Sequence, residues 1–317
     1  MRELLVVAAA MLFAGSASGQ EPREAVPAEG MRDDIALAIE RGSRMTVPVS
    51  IGDQGPFDFI IDTGAERTVV SRELATKLAL PFAGAARVHS IARTVPVDLV
   101  HVASLGISAH RAHGLRAPTL PSLHMGGVGL IGIDSLQQQR VMIDFERRIM
   151  SIEPSAVREK IPARGDDIVV QARSRAGRLV VMDAHVEGIR TAVILDTGSQ
   201  ISLGNAALGA KLKERRSRRS AFDTTLHDVT GAALPAHLMS ARELRVGGVG
   251  MRDLTIAIAD APVFGELALA DRPAMLLGMD AMRLFRRVSI DFKRRRARFL
   301  LPERSGTPLR VQLASAG

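Results

Sequence analysis

The distribution of hydrophobic and polar positions along the chain is typical of a mostly β protein. Apolar residues alternate with other side chains over 45–51, which is the period of a half-buried strand. Turn-forming residues at 52–56 separate this strand from a second, apolar strand at 57–61. A short strand over 68–70 and a short helix capped by Ser71 are predicted to follow.

The same order of elements occurs twice along the chain. The segment 59–64, FIIDTG, recurs as VILDTG at 193–198, an offset of 134 residues. The segment 130–134, LIGID, recurs as LLGMD at 276–280, an offset of 146 residues. Because the offset grows from 134 to 146, the second copy carries about 12 extra residues, part of which we assign to the basic run 211–219.

The first residues differ from the rest of the chain and have the pattern of a secretory signal peptide. An apolar stretch over 4–14 follows Arg2, and small residues at 15–19 precede the polar Gln20. We predict cleavage before Gln20 and a periplasmic or secreted location in a bacterium; the alternatives are an uncleaved anchor or a chance apolar start. No apolar run reaches the roughly 18 residues of a spanning helix, so no integral membrane span is expected after signal removal.

These observations divide the chain into six segments. The predicted segments are the signal peptide 1–19, an N-terminal linker 20–32, repeat one 33–153, a linker 154–165, repeat two 166–302 and a C-terminal tail 303–317.

Composition excludes several kinds of chemistry. The chain has no Cys, which rules out disulfides, zinc–thiolate sites, iron–sulfur clusters and a cysteine nucleophile. The histidine pair His110 and His113 has no third ligand nearby, so neither a metal site nor another cofactor is expected. Lys and Arg exceed Asp and Glu by 42 to 34, but interleaved aromatics are absent from the basic run 211–219, which disfavours nucleic-acid binding. That run is predicted to be a solvated helix end and loop; the alternative is a patch that binds a membrane surface or an anionic partner.

The candidate chemistry lies in two Asp-Thr-Gly motifs. Asp62 and Asp196 each stand at the end of an apolar strand and are followed by a small hydroxyl residue and a glycine. A single motif of this kind is usually only a turn. Two such strands related by a pseudo-twofold axis can bring the carboxylates face to face, where like charges in contact share one proton. One aspartate is then a base toward water and the other an acid toward a carbonyl.

With these motifs the sequence resembles the aspartic proteases of the retropepsin–pepsin superfamily. The resemblance is carried by Ile61-Asp62-Thr63-Gly64-Ala65 and Leu195-Asp196-Thr197-Gly198-Ser199, each followed downstream by an apolar-apolar-Gly element ending at Gly132 or Gly278. It implies a mostly β, bilobal acid-protease fold in which two retropepsin-like β-barrel repeats form a pseudo-dimer within one chain.

The resemblance also implies roles for individual residues. Asp62 and Asp196 match the catalytic pair, and Thr63 and Thr197 match the threonines that cross-brace the two loops. The supporting glycines are Gly64 and Gly198 in the turns, with Gly132 and Gly278 behind them. Candidate flap hairpins lie at 89–96 and 227–235.

Two functions remain open at this point. The first is an exported aspartic endopeptidase that hydrolyses a polypeptide substrate with a water activated between Asp62 and Asp196. The second is a non-catalytic periplasmic peptide-binding or assembly protein on the same fold. In either case a monomer with an internal pseudo-dimer is expected.

Overall fold

A computed structural model describes residues 4–6, 10–11, 34–36, 46–107, 110–157, 167–215, 222–302 and 311–313. The predicted linker 20–32 lies outside these ranges, as do most of the predicted signal segment and most of the predicted tail.

The first repeat, called lobe one below, is built almost entirely of strands. Two short strands, β1 (Leu4–Val6) and β2 (Ala10–Met11), precede it. Its elements are β3 (Asp34–Ala36), β4 (Thr46–Ile51), β5 (Gln54–Ile61), β6 (Val69–Ser71), α1 (Arg72–Lys77), β7 (Phe82–His89), β8 (Thr94–Ile107), β9 (His110–Leu120), β10 (Gly129–Ile131), β11 (Gln139–Asp144), β12 (Ile149–Pro154) and two 3₁₀ turns, Ser122–His124 and Ile133–Ser135.

The second repeat, lobe two, follows the same order with a longer helix after its Asp-Thr-Gly motif. Its elements are β13 (Asp167–Gln171), β14 (Arg173–Arg175), β15 (Arg178–Val181), β16 (Ala184–Val186), β17 (Ile189–Arg190), β18 (Ala192–Leu195), β19 (Leu203–Gly204), α2 (Ala206–Arg215), β20 (Phe222–Asp228), β21 (Ala233–Val246), β22 (Val249–Ile258), α3 (Pro262–Glu266), β23 (Ala274–Leu277), α4 (Met279–Met282), β24 (Arg287–Asp291) and β25 (Arg296–Leu300), followed by β26 (Val311–Leu313).

Local sequence signals set several of these boundaries. The Ser71 side chain accepts a hydrogen bond from Leu74 N at 3.0 Å, so it caps α1 as predicted. The β11–β12 and β24–β25 hairpins end in tight turns rich in charged residues. Their basic residues, among them Arg147 and Arg294, are exposed at the tips.

Each lobe contains a closed barrel. In lobe one the strands run β8-β4-β5-β10-β6-β9 and return to β8. Alternate residues of these strands fill the interior, including the fully buried Val47, Val49, Phe59 and Ile61. Lobe two follows the same circuit through β18, β23, β19, β22 and β21, with β15 and β16 together occupying the place of β4. The predicted mostly β, two-repeat pseudo-dimer is therefore confirmed.

A six-stranded sheet joins the two lobes. Its order is β13-β25-β24-β11-β12-β3, with three strands from each repeat. The central pair, β11 and β24, is antiparallel and places Ile143 opposite Val288. Both residues are fully buried. The pseudo-twofold axis relating the repeats therefore passes between these two strands, and the lobes share one continuous layer of backbone hydrogen bonds.

Two long hairpins reach across from one lobe to the other. Flap one is the β7–β8 hairpin and flap two is the β20–β21 hairpin, and they contain the predicted flap segments. Ile91, at the tip of flap one, is buried in a cluster made of lobe-two residues. Val229, at the tip of flap two, is buried in a cluster of lobe-one residues. Each apolar flap tip is therefore buried in the core of the opposite lobe. Within the described ranges, no helix is long and apolar enough to cross a membrane.

Candidate active site

The two Asp-Thr-Gly loops begin at equivalent positions in the two barrels. β5 lies parallel to β10, and β18 lies parallel to β23. Asp62 N donates to Ile131 O at 3.0 Å, and Asp196 N donates to Leu277 O at 3.1 Å. Each aspartate is therefore fixed by the last hydrogen bond of a parallel strand pair, at the point where the strand turns into the loop.

Gly132 and Gly278 lie directly behind these loops, as the resemblance implies. A Cβ atom on Gly132 would lie 2.2 Å from the carbonyl carbon of Arg67. A Cβ atom on Gly278 would lie 2.6 Å from the carbonyl carbon of Ile201. Because backbone atoms cannot move aside cheaply, only glycine permits this approach.

Asp134 and Asp280 support the loops from behind rather than joining the pair. Asp134 accepts hydrogen bonds from the Thr68 hydroxyl at 2.7 Å and from Thr68 N at 2.9 Å. Asp280 accepts from the Ser202 hydroxyl at 2.8 Å and from Ser202 N at 3.0 Å. These aspartates therefore act as turn and capping residues and are not part of the catalytic pair.

Thr63 and Thr197 link the two loops through four reciprocal hydrogen bonds. The Thr63 hydroxyl donates to Leu195 O at 2.9 Å and accepts from Thr197 N at 3.0 Å. The Thr197 hydroxyl donates to Ile61 O at 2.8 Å and accepts from Thr63 N at 3.0 Å. Every bond crosses between the lobes, so the threonines fix the distance and the angle between the loops.

The two aspartate side chains are fully buried and are held by backbone N–H groups of their own loops. Asp62 Oδ1 accepts from Gly64 N and Ala65 N, both at 2.9 Å. Asp196 Oδ1 accepts from Gly198 N at 3.0 Å. The Ser199 hydroxyl, which stands where Ala65 does in the first loop, donates instead to the Ile201 carbonyl. More N–H groups therefore stabilise the charged form of Asp62 than that of Asp196.

Each carboxyl group packs against the glycine of the opposite loop. A Cβ atom on Gly64 would lie 2.5 Å from Asp196 Cγ, and a Cβ atom on Gly198 would lie 2.2 Å from Asp62 Cγ. The loops can approach this closely only because both positions are glycine. The structure thus brings Asp62 and Asp196 together at the pseudo-twofold axis.

Electrostatics favour one shared proton on this pair. Burial and the neighbouring Asp62 charge raise the pKa of Asp196 well above its usual value, while the positive charge of Arg178 opposes the shift. A pair coupled in this way titrates in two separate steps. Between these steps one carboxyl group is protonated and the other is ionised, which provides an acid and a base side by side.

Arg178 is a site residue that the sequence analysis missed. It begins β15 in lobe two and is fully buried. Its Nε donates to Gly64 O, in the active-site loop of lobe one, at 2.6 Å. The neighbouring Arg173 and Arg175 are exposed and half-buried, and no local pattern distinguishes Arg178 from them.

The flap tips contact each other through polar side chains that the sequence analysis also missed. Asp228 of flap two is fully buried and accepts hydrogen bonds from the Ser90 hydroxyl and from Ala92 N of flap one. Arg93 Nε of flap one donates to the Thr230 hydroxyl at 3.3 Å. These contacts hold the two hairpins closed against each other.

The described part of the chain contains no group of three or more His, Cys, Asp or Glu residues that could hold a metal ion. His110 and His113 lie on β9, where the His110 ring contacts the Gln139 amide and the Ser135 carbonyl.

The repeats also agree with a known family. A family model described as aspartyl protease matches the chain twice, over residues 47–135 and 182–281, which together make up more than half of the chain. Each match contains one Asp-Thr-Gly loop and the glycine element behind it. No curated protein matches the chain at a significant level.

Proposed function

The chain belongs to the aspartyl protease family, and on this premise we propose that it is an exported aspartic endopeptidase in which a water between Asp62 and Asp196 attacks the peptide carbonyl. The observation that carries the proposal is the pair of facing, buried carboxyl groups, held in register by the reciprocal Thr63–Thr197 bonds. This arrangement supplies an acid and a base without a nucleophilic side chain.

The surroundings of the two carboxyl groups suggest their division of work. Asp62 accepts two loop N–H groups and acts as the ionised base, whereas Asp196, with its raised pKa, holds the proton. Asp62 removes a proton from the water as its oxygen bonds to the carbonyl carbon, and Asp196 gives its proton to the carbonyl oxygen. Collapse of the tetrahedral intermediate breaks the C–N bond, and the leaving nitrogen takes a proton from the Asp62–Asp196 pair, called the dyad below.

An extended polypeptide is the substrate that the flaps are suited to bind. The short strand β1 pairs parallel with β7 of flap one, and β2 pairs antiparallel with β20 of flap two. β7 and β20 are related by the pseudo-twofold axis, so they run in opposite directions. A single extended chain that crosses this axis is therefore parallel to one of them and antiparallel to the other, as β1 and β2 are. The outer edges of both flaps therefore accept an added strand, which is how many peptides are bound by sheets.

Export is part of the proposal and rests on the N-terminal sequence. The apolar stretch 4–14 followed by small residues has the pattern of a cleaved signal peptide. Removal of residues 1–19 would leave the edges of β7 and β20 open to a substrate. N-terminal sequencing of the protein from its native cell should begin at Gln20, and a chain beginning at Met1 would contradict export with cleavage.

The test of the activity is cleavage of an unfolded protein by the chain beginning at Gln20. Mass spectrometry should detect internal cleavage products, with a rate unaffected by a metal chelator. Asp62→Asn and Asp196→Asn should each abolish cleavage while the far-UV circular dichroism stays that of the wild type. Asp53→Asn, a matched change at an exposed turn, should retain full activity.

Two outcomes would overturn the proposal. Activity retained in Asp62→Asn or in Asp196→Asn would remove the dyad from the reaction. Binding of the unfolded protein by the wild type without cleavage would instead support the non-catalytic peptide-binding function. A peptide mimic that carries a hydroxyl group in place of the scissile carbonyl should inhibit the enzyme, because it resembles the tetrahedral intermediate.

A further inference from the structure

Arg178 is the largest side chain that is fully buried in the described part of the chain. It belongs to lobe two, yet its Nε donates to the Gly64 carbonyl of lobe one at 2.6 Å. Gly64 is the residue against which the Asp196 carboxyl group packs, with only 2.5 Å between Asp196 Cγ and an added Cβ. Gly64 N also donates to Asp62 Oδ1. Gly64 therefore contacts the guanidinium group and both carboxyl groups of the dyad.

The charged groups that act most strongly on Arg178 are acidic. They are Asp196, Glu66, Asp62 and Glu266, which come from both active-site loops and from the end of α3. A buried guanidinium group is costly unless opposite charges compensate for it, and an apolar side chain often stabilises such a position equally well. The four acidic groups supply this compensation, and they place the positive charge of Arg178 beside the dyad.

We propose that Arg178 is a positioning residue of this active site, which fixes the Gly64 carbonyl and sets the pH range over which the dyad carries a single proton. The proposal rests on the endopeptidase function argued above. Burial raises the pKa of Asp196, and the charge of Arg178 counters that increase. Glu66 and Glu266 face Arg178 as well, and a negative charge near the dyad would act in the opposite direction to Arg178.

The direction of the effect follows from the sign of the charge. A nearby positive charge favours the ionised form of a carboxyl group, so Arg178 lowers the pH of both ionisations of the dyad. If the charge is removed, both limbs of the bell-shaped pH profile of kcat/KM should move to higher pH. The expected shift is about one pH unit or more, the order given by charges a few ångströms apart at the effective dielectric of a protein interior.

Two substitutions separate the charge from the hydrogen bond. Arg178→Gln keeps a donor for the Gly64 carbonyl but is neutral, so both limbs should move to higher pH. Arg178→Lys keeps the charge, so the limbs should stay within a few tenths of a pH unit of the wild type while kcat falls through poorer positioning. Arg140→Gln is the matched control, because Arg140 is a buried arginine that pairs with Glu153 in the interlobe sheet. It should leave the profile unchanged.

A second measurement does not depend on catalysis. Carboxyl-carbon NMR of the labelled aspartates should show the dyad of Arg178→Gln titrating at higher pH than that of the wild type. If the wild type cleaves nothing, the endopeptidase proposal fails while this titration still tests Arg178. Should Arg178→Gln not fold, Glu66→Gln is the substitute. It removes an opposing charge, so the dyad should titrate at lower pH.

The proposal is overturned if the dyad titrates in Arg178→Gln as it does in the wild type, or if Arg140→Gln shifts it equally. An Arg178→Lys profile that moves as far as that of Arg178→Gln would also overturn it, because the charge would then not be the cause. An unshifted titration in Glu66→Gln, when that substitute is used, has the same consequence.

Discussion

Replacement of either bracing threonine by valine should destabilise the protein strongly. Thr63→Val nearly preserves the shape of the side chain but removes the hydroxyl that bonds to Leu195 O and Thr197 N. Thr197→Val removes the equivalent bonds to Ile61 O and Thr63 N. Each substitution therefore abolishes two of the four bonds of the brace and leaves one buried carbonyl and one buried N–H group without their partners.

The magnitude follows from these counts. A hydrogen bond contributes about 1 kcal/mol net, and a buried polar group left without its partner costs about 1–3 kcal/mol. Each variant leaves two such groups and should therefore lose about 2–6 kcal/mol of unfolding free energy. The two losses should be similar because the bonds are reciprocal. Activity should also fall, because the loops that carry the two aspartates are no longer held in register.

The matched control is Thr191→Val. The Thr191 hydroxyl is equally buried but donates a single bond, to Ile189 O at 2.8 Å, within lobe two. Thr191→Val leaves one buried carbonyl without its partner, so it should cost about 1–3 kcal/mol, half of the loss in either brace variant, and leave activity intact. Urea unfolding is followed by far-UV circular dichroism, because the chain has neither Trp nor Tyr. If Thr63→Val or Thr197→Val lost no more stability than Thr191→Val, the brace would not hold the lobes together.

Three further predictions follow from the site. The folded protein keeps a proton on Asp196 that the unfolded chain releases at lower pH. The free energy of unfolding should therefore decrease as the pH rises toward the raised pKa of Asp196. Urea titrations at a series of pH values should show this decrease in the wild type and a flatter dependence in Asp196→Asn. Gly132→Ala should prevent folding or lower the thermal midpoint sharply, because its Cβ would meet the Arg67 backbone, whereas Gly265→Ala, with open space around it, should be nearly neutral by calorimetry. Asp228→Ala should speed amide hydrogen exchange at both flap tips relative to the rest of the flaps, because it removes the acceptor of the Ser90 bond; unchanged exchange would mean that other contacts keep the flaps closed.

The fold and the paired aspartates could be predicted from sequence because their signals are local and repeated. An apolar strand that ends in Asp-Thr-Gly needs few neighbouring residues to be recognised, and its second copy supplies the symmetry. The glycines behind the loops were predictable for the same reason, since only glycine fits where two backbones touch.

The residues that sequence analysis missed act over long separations. Arg178 bonds to a residue 114 positions earlier, and Asp228 bonds to Ser90 across 138 positions. Neither lies in a motif, and arginines and aspartates are most often exposed. Their role depends on the way the lobes pack, which strand periodicity does not specify. The six-stranded sheet that joins the lobes was missed for the same reason, since pairing between β11 and β24 is a tertiary contact.

The most direct test of the central claim is a structure of the chain beginning at Gln20 bound to a peptide mimic that carries a hydroxyl group in place of the scissile carbonyl. The account predicts an extended peptide between the flaps and the dyad, with the hydroxyl oxygen at about 2.5–3.0 Å from carboxyl oxygens of both Asp62 and Asp196. A mimic bound with its hydroxyl against only one of the two carboxyl groups, or outside the space between the lobes, would contradict the claim that the two aspartates act together on one water.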